Sequence, residues 1–490
     1  MAAAPSPRVA PATGPRGLPR ALLPLLPAAL VAAAVACAMR LVYDPWYLNY
    51  DARYALLWAQ DAGNGFLPEY EADYAPTPRP LQTLVGLIAL PLGDRADELM
   101  VWVVLLAFGA LVWLAFRLGS ELFSPWVGAV TALVVLTRPV LQRDALLAYQ
   151  DLLFAALVVG AVLLEARRPR RGVPVLCVLA VAGLVRPEAW VLSGLYTLWL
   201  WREADRGQRL RFAALVAAAP LIWAALDLIV TGDPLHSLHG TAALAEENDR
   251  RRHIWQSPRW TLQYLGSTLR EPLAVGVPLG LAFAWRHRCH RAVLPLAVAA
   301  AMLLVFAAGP LFGLPLIGRY VRTPAVLLAL FYGLAAFGWM LLPPGRERRA
   351  WLIVGVVALA LSAAFLPRHV DMLGGLERRI ELDGALYADL RTAARAPAVK
   401  RAFAACAPLS AADHRPIPYV RDWLDGDPGS VGTVEGGASP LGRLLLVPRE
   451  VRRVTRFYRG EFPRVAPPED YRTLYENRSW RVYAAPGCGA

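Results

Sequence analysis

Long apolar runs recur from the N-terminal region to about residue 366, and they constrain the fold more than any other feature of the chain. Hydrophobic residues make up 57% of the 490 residues, and the mean hydropathy is +0.40. About 20 apolar residues suffice to cross the hydrocarbon core of a bilayer, where only helices and closed barrels satisfy their own backbone hydrogen bonds. The sequence therefore predicts an all-α polytopic protein of the plasma membrane and excludes a soluble enzyme.

The basic residues indicate how these helices are oriented. The net charge is +13, but the strong basic clusters lie in short stretches between apolar runs, as in cytoplasmic loops. The apolar segment 81–92 is short for a span, and we interpret it as a re-entrant or juxtamembrane helix. With a cytoplasmic N-terminus, four clusters then fall inside, at residues 167–171, 202–211, 286–291 and 346–349. Membrane lipids are expected partners, and nucleic acid is not.

The same reasoning divides the chain into three regions. Residues 1–20 are expected to form a disordered cytoplasmic tail, residues 21–366 a transmembrane domain, and residues 367–490 an extracytoplasmic domain. About eleven transmembrane helices are predicted. They lie at roughly 21–42, 99–118, 124–138, 152–165, 173–185, 188–201, 212–231, 272–285, 292–310, 324–342 and 350–366.

The C-terminal region has the pattern of a small α+β domain. An amphipathic helical stretch covers 373–405, and strand-like pieces at 443–447 and 480–483 stand between turn-rich segments. Cys406 and Cys488 both lie on the predicted outer side, where disulfides persist. A bridge between them would close a loop of about 80 residues and hold the C-terminus in place. The alternative is a pair of unpaired, small hydrophobic side chains.

Ionisable side chains gather in the loops that this topology places outside. We expect a carboxylate at such a partly buried boundary to have a raised pKa and to act as a general base. Arginines opposite it can bind a phosphate through two hydrogen bonds and stabilise its charge as it leaves. This combination suggests a lipid-phosphate substrate. The residues concerned are Asp51, Arg53, Tyr54, Asp144, Asp151, Arg186, Glu188, Asp233, His236, His239, Arg319, Tyr320 and Arg322.

Six short elements of the sequence stand out: Asp51-Ala52-Arg53-Tyr54, Arg79-Pro80-Leu81, the short helix at 81–92, Tyr149-Gln150-Asp151-Leu152, Arg186-Pro187-Glu188 and Arg319-Tyr320. In their order and common sidedness, they resemble the motifs of the integral-membrane C-superfamily glycosyltransferases, the dolichyl-phosphate-mannose and aminoarabinose transferase-like group. The resemblance covers roughly residues 20–345. The chain departs from the family pattern at Ala52, where an acid is frequent, and it lacks the aromatic or histidine-rich acceptor motifs of some subfamilies.

The resemblance implies a transferase that moves a sugar from a polyprenyl-phosphate donor to an extracytoplasmic glycan, lipid or protein during cell-envelope synthesis. Asp51 and Asp151 are the expected catalytic residues. No metal ligand is assigned, and a divalent cation remains open as a cofactor. The expected substrate-binding residues are Arg53, Tyr54, Arg79, Arg186, Glu188, Arg319 and Tyr320.

Several of these residues could have a structural role instead. Asp51 and Asp151 could each cap the helix that follows, Arg186 and Glu188 could form a structural ion pair, and Arg79 could extend to the membrane interface. His236 and His239 could share a helix face and bind a metal, although a solvated or substrate-contacting loop fits their surroundings better. At the level of the whole protein, a secondary transporter and a non-catalytic envelope-assembly protein on the same scaffold are the alternatives.

Overall fold

The structure is a computed structural model that describes residues 25–450 and 465–488. The predicted tail at residues 1–20 lies outside the described residues. The α-helices of the first part are α1 (Leu26–Val42), α2 (Tyr50–Gly63), α3 (Pro80–Ala89), α4 (Ala96–Leu122), α5 (Pro125–Thr137), α6 (Pro139–Leu146), α7 (Asp151–Arg167), α8 (Val173–Gly183), α9 (Glu188–Leu200) and α10 (Arg206–Thr231). Then follow α11 (His236–Glu247), α12 (Ser257–Leu269), α13 (Leu273–Arg286), α14 (Val293–Ala308), α15 (Arg322–Phe337), α16 (Arg346–Ala364), α17 (Leu366–Ala394), α18 (Pro397–Cys406) and α19 (Ile417–Trp423).

A helix occupies the position of each predicted span, but the predicted number of crossings is not confirmed. By length and composition, four helical stretches of the described chain can cross a membrane, or up to six if two bent pairs each count as one span. The difference arises because several helices, such as α8 with 11 residues and α5 with 13, are shorter than the roughly 20 residues of a full span. The segment predicted as re-entrant or juxtamembrane forms α3, which has ten residues.

Helix α15 runs through the middle of the helical bundle. Every residue from Arg322 to Ala336 is buried, and α15 packs against α5, α7, α13 and α14. The approach of α13 is close, since a Cβ atom at Gly280 would lie 1.7 Å from the carbonyl oxygen of Phe331. Glycine is therefore required at that position. Arg319 and Tyr320 lie just before the first residue of the buried α15.

Other helices present apolar surface to their surroundings. Leu210 in α10, Leu304 in α14 and Ile353 in α16 are 73%, 70% and 64% exposed. Apolar patches of this extent are unusual on a water-soluble protein, and lipid chains would cover them in a bilayer. The exposed apolar side chains therefore support the prediction from the sequence that this is an integral membrane protein.

The C-terminal domain is a five-stranded mixed sheet with helices packed beside it. Strand β1 runs parallel to β2 and β3, whereas β5 is antiparallel to both β3 and β4, giving the order β2-β1-β3-β5-β4. A disulfide joins Cys406, the last residue of α18, to Cys488 after β5, which is the pairing expected from the sequence. The strands are β1 (Leu409–Ala411), β2 (Val431–Thr433), β3 (Leu444–Pro448), β4 (Arg472–Glu476) and β5 (Trp480–Ala484).

This domain lies against α2, the helix that begins beside Asp51. The Arg421 guanidinium, 1% exposed, binds the Asp61 carboxylate and lies 3.0 Å from Glu69. Close by, the Tyr419 hydroxyl donates to the carbonyl oxygen of Leu48 at 2.9 Å. Because a buried charge is tolerated only when it is paired and hydrogen-bonded, these contacts fix α2 against the C-terminal domain.

Candidate active site

Asp51 lies at the second position of α2, and the helix is capped by a different residue. The Asn49 side-chain oxygen accepts a hydrogen bond from the Ala52 amide at 3.2 Å, and its amide nitrogen donates to the Leu147 carbonyl at 2.6 Å. Asn49 therefore serves as the N-cap and ties the start of α2 to the segment before α7. The carboxylate of Asp51 is free for another role, so the capping interpretation is not supported.

Two arginines from distant parts of the chain bind the Asp51 carboxylate. Arg319 donates from Nη1 to Oδ2 at 2.6 Å, and Arg79 donates from Nη2 to the same oxygen at 3.1 Å. Arg79 is the residue before α3, and Pro80 occupies the first helical position, where its missing amide hydrogen is harmless. The side chains of Asp51, Arg79 and Arg319 are 14%, 9% and 18% exposed, so the ion pairs are largely shielded from water.

The arginines reverse the pKa shift that we expected for Asp51. Burial raises the pKa of this carboxyl, but Arg319 and Arg79 outweigh burial and lower it to about 2. The expectation of a raised pKa is therefore wrong for this arrangement of side chains. Desolvation disfavours the charged carboxylate, but the two guanidinium groups that contact it stabilise that charge by more.

Arg250 is a third arginine at this site, and the sequence reasoning did not identify it. It follows the end of α11, where Asp249 has a positive φ of 44° and the Arg250 amide donates to the Ala245 carbonyl at 2.8 Å. The Leu316 amide donates a hydrogen bond to the carbonyl oxygen of Arg251, the residue after Arg250, at 2.8 Å. This bond ties the turn to the segment before Arg319. Charge interactions link Arg250 to Asp51, and burial together with Arg319 lowers the Arg250 pKa.

The sequence did contain a signal for Arg250. Residues 250–252 are three consecutive arginines in a loop that the topology places outside, where the positive-inside rule disfavours them. Within this run, Arg252 pairs with Glu246 at 3.0 Å and Arg251 lies over Trp260, which leaves Arg250 as the member that faces Asp51. The site therefore contains two guanidinium groups bound to one carboxylate, with Arg250 close enough to interact with it by charge.

A second ionic cluster lies beside the first. Arg186 binds Asp151 and Glu188, and its guanidinium carbon lies 4.1 Å from the ring centroid of Tyr320. Asp151 is the first residue of α7 and makes no capping hydrogen bond. Arg186 is thus paired with two carboxylates and packed against the ring of Tyr320.

Two buried polar atoms of these clusters have no hydrogen-bond partner among the described residues. They are Oδ2 of Asp151 and Nε of Arg319, an acceptor and a donor. Leaving such groups unpaired costs free energy that a bound polar ligand would recover. The geometry therefore favours a ligand that brings both a donor and an acceptor to this side of the site.

Arg53 and Tyr54, which were expected to bind substrate, are both in contact with the C-terminal domain. Arg53 donates to Asp422 at 2.6 Å and lies 3.4 Å from Asp97, and the Tyr54 ring is 1% exposed within the core beneath the C-terminal domain. Successive helical residues are about 100° apart, so Arg53 points roughly 200° away from Asp51. Both residues fasten the C-terminal domain to the membrane domain.

Other loop residues have structural partners. Asp144 accepts a hydrogen bond from Arg322 at 2.9 Å within the protein interior. His239 is paired with Asp233 at 2.6 Å, while His236, on the same helix α11, faces a cavity beside the first loop. The two histidines therefore do not converge on one ligand.

One group of side chains has the composition of a metal site. The donor atoms of Asp413, His414 and Glu435 lie within 4.8 Å of one another. However, Asp413 is paired with Arg415 at 2.6 Å, and His414 Nδ1 is 2.7 Å from Glu435. A guanidinium at this distance opposes a cation, so the donor set fits a metal poorly as it stands, and we assign none of these residues as a metal ligand.

No protein-family model matches the chain, and no curated protein matches it either. Among solved structures, ArnT from Cupriavidus metallidurans bound to undecaprenyl phosphate matches with 14% identity and a TM-score of 0.57, covering 95% of this chain and 98% of ArnT. Its apo state matches with 13% identity, a TM-score of 0.52 and the same coverage. The Archaeoglobus fulgidus oligosaccharyltransferase, in complex with Zn and sulfate, matches with 12% identity and a TM-score of 0.49, covering 81% of this chain and 61% of that enzyme.

The match to ArnT extends over almost the whole of both chains, so the membrane domain and the C-terminal domain are both part of the shared architecture. The resemblance drawn from the short sequence motifs is thereby confirmed at the level of the fold: this chain has the fold of ArnT.

Proposed function

We propose that the protein transfers a sugar from a polyprenyl-phosphate donor to an extracytoplasmic acceptor. The observation that carries the proposal is the binding of Asp51 by Arg79 and Arg319, with Arg250 nearby, in a fold shared with ArnT. Three positive charges against one negative charge suit a phosphate whose negative charge increases as it leaves. A transporter would instead place its ionisable groups near the bilayer midplane.

In the proposed mechanism, the donor phosphate takes over the hydrogen bonds that Arg79 and Arg319 now make to Asp51. The carboxylate is then free to accept the proton of an acceptor hydroxyl. The hydroxyl oxygen bonds to the anomeric carbon, while the bond from that carbon to the phosphate oxygen breaks and its electron pair stays on the phosphate. The arginines stabilise the additional charge, and a single displacement of this kind inverts the configuration of the sugar.

Asp151 supports this step from the adjacent cluster. Its unpaired Oδ2 is available to a second acceptor or donor hydroxyl, while Arg186 and Glu188 keep it in place. The aromatic face of Tyr320 stays packed against Arg186. Each of the proposed steps uses side chains of this chain. The donor is proposed as a class, a polyprenyl-phosphate sugar, and the acceptor as an extracytoplasmic hydroxyl compound.

The pH dependence should differ between the free enzyme and the donor complex. Asp51 acts as the anion, so activity falls as the pH drops through its pKa. With that pKa at about 2 in the free protein, kcat/KM for the donor should show no loss due to Asp51 down to about pH 4. In the donor complex the arginines are shared with phosphate, which raises the Asp51 pKa, so the acid limb of kcat should lie at higher pH. Identical limbs for kcat and kcat/KM would contradict the exchange of partners.

We also propose that Asp51, Asp151 and residues 367–490 lie on the outer face, with the basic loops inside. Single cysteines at Ala62 and Arg168, both exposed, test this in a background without other cysteines. An impermeant thiol reagent applied to intact cells should label the Ala62→Cys protein only, and lysed cells should label both. Labelling of Arg168→Cys alone would invert the topology and remove Asp51 from the proposed acceptor side.

The direct test is transfer by the purified protein in lipid nanodiscs. Polyprenyl-phosphate sugars labelled in the sugar are supplied together with membrane glycolipids as acceptors, and the label is followed by chromatography. Movement of label from one donor into product supports the proposal. Unchanged donors throughout, from protein that still binds undecaprenyl phosphate, would favour the non-catalytic alternative.

A further inference from the structure

A cavity of about 420 Å³ lies next to the Asp51 site, within the 300–1,000 Å³ range of small-molecule sites. Its walls come from three parts of the chain: the first-loop segment 70–78, one face of α11, and the turn at 436–438 of the C-terminal domain. The membrane domain and the C-terminal domain thus enclose it together.

The chemistry of the cavity is opposite to that of the arginine site. Acidic side chains line it at Glu71, Asp73 and Glu247, and among the described residues no arginine or lysine does. Thr77 and Thr241 contribute hydroxyl groups that are hydrogen-bonded to each other across the wall. A phosphorylated or carboxylated ligand would meet like charge here, whereas a neutral ligand rich in hydroxyl groups would find acceptors and donors.

An aromatic wall is held rigidly on the side of the C-terminal domain. The Tyr74 ring stacks on His414 with centroids 4.5 Å apart and an interplanar angle of 16°, and Glu435 fixes the His414 ring. Tyr74 has a positive φ of 58°, which is costly for a bulky residue and marks a position that its surroundings maintain. Rigid aromatic faces beside hydroxyl-binding groups are suited to the apolar face of a sugar ring.

Residues of the cavity wall are neighbours in sequence of residues in the Asp51 site. Its lining ends at Pro78, the residue before Arg79, whose side chain binds Asp51. On the other side, the Tyr50 hydroxyl donates to the Tyr74 carbonyl at 2.9 Å, and Tyr50 precedes Asp51. Two segments of the cavity wall are thus held directly beside the residues of the Asp51 site.

We infer that this cavity is the acceptor subsite and that it selects an uncharged glycan end, with phosphate excluded from it. The inference rests on the proposed function, since it names the class of acceptor for the same reaction. Positive charge at the arginines attracts the donor phosphate, and the acidic cavity repels acceptors that would compete with it. The C-terminal domain contributes Gly436 and Ala438 to the subsite, so acceptor choice depends on both domains.

Binding can be measured without knowing the natural acceptor. Full-length protein in lipid nanodiscs, free of glycoside detergent, is mixed with maltose, lactose or N,N′-diacetylchitobiose, and saturation-transfer NMR detects the bound sugar. Glucose 6-phosphate and glucuronic acid serve as anionic counterparts. The neutral disaccharides should give signals, and the anionic sugars should not.

Two variants alter the cavity in independent ways. Ala243→Trp places an indole into the space, because Ala243 lines it, and should reduce the disaccharide signal by about tenfold or more through steric exclusion. Glu247→Arg replaces an exposed acid in the last turn of α11 and should admit glucose 6-phosphate. Leu238→Trp is the matched control, since Leu238 is on the same helix and 38% exposed but does not line the cavity.

Undecaprenyl phosphate binding, followed by native mass spectrometry, separates failure of this inference from failure of the proposed function. All three variants should bind the lipid as the unaltered protein does. If the lipid binds but the neutral disaccharides do not, or if Ala243→Trp and Leu238→Trp behave alike, the cavity is not the acceptor subsite. If the unaltered protein does not bind the lipid, the proposed function itself fails.

Discussion

Replacing Asp51 with Asn should lower sugar transfer by about 10²–10⁴-fold, the usual cost of losing a general base. The carboxylate is the acceptor of hydrogen bonds from Arg79 and Arg319, and an amide of the same size cannot take the proton of an acceptor hydroxyl. Helix capping does not account for such a loss, because Asn49 caps α2. Transfer is measured as labelled product per minute under saturating donor.

The control for this variant is Asp44→Asn, in the same loop, where the carboxylate is exposed and pairs only weakly with Arg40 at 3.5 Å. Thermal unfolding and undecaprenyl phosphate binding establish that the Asp51→Asn protein is folded. If it keeps within about threefold of the normal rate, Asp51 does not act as the base, and the proposed mechanism is wrong.

Replacing Arg319 with Ala should lower turnover by about 10²–10³-fold, the magnitude found when one donor to a developing negative charge is removed. Arg319 makes the shorter of the two hydrogen bonds to Asp51, and its unpaired Nε is a further donor for the phosphate. Arg319→Lys should recover only part of the activity, because an ammonium group cannot donate two parallel hydrogen bonds. The measurement compares kcat and KM for the donor.

Arg259→Ala is the matched control, since Arg259 is exposed on α12 and lies against Trp260. It should leave both kinetic constants unchanged. An equal loss in Arg259→Ala and Arg319→Ala would mean that charge in general, and not the position of Arg319, supports activity. Removing Arg319 should also raise the Asp51 pKa, because a group that now lowers it is lost.

The hydropathy of the chain predicted the positions of the helices well but not their number of crossings. Apolar composition locates the long helical stretches that contain α4, α10 and α14, because a segment that crosses the lipid must be apolar over about 20 residues. It cannot show whether a short helix such as α8 crosses the membrane or ends within it, since that depends on packing against neighbours. The sequence indicated a helix beginning near Asp51, but it did not indicate that Tyr54 and Trp58 of this helix pack against the C-terminal domain.

The candidate site was predicted in part. The predicted topology placed Asp51 and Arg319 on one side of the membrane, and the resemblance to a family of transferases added Arg79. Arg250 was not predicted, although it begins a run of three arginines, because its place depends on the turn after α11. The hydrogen bond from Arg53 to Asp422, 369 residues away, could not be predicted either. Contacts over such distances follow from tertiary packing, which local pattern does not encode.

The most direct measurement of the central claim is the stoichiometry of lipid release. Purified protein in nanodiscs turns over a polyprenyl-phosphate sugar, and mass spectrometry counts polyprenyl phosphate formed against sugar transferred. We predict one polyprenyl phosphate for each sugar transferred by the unaltered protein, and formation of both products about 10²–10⁴-fold slower in Asp51→Asn. Sugar transfer without release of polyprenyl phosphate, or equal release from both proteins, would contradict a reaction at the Asp51 site.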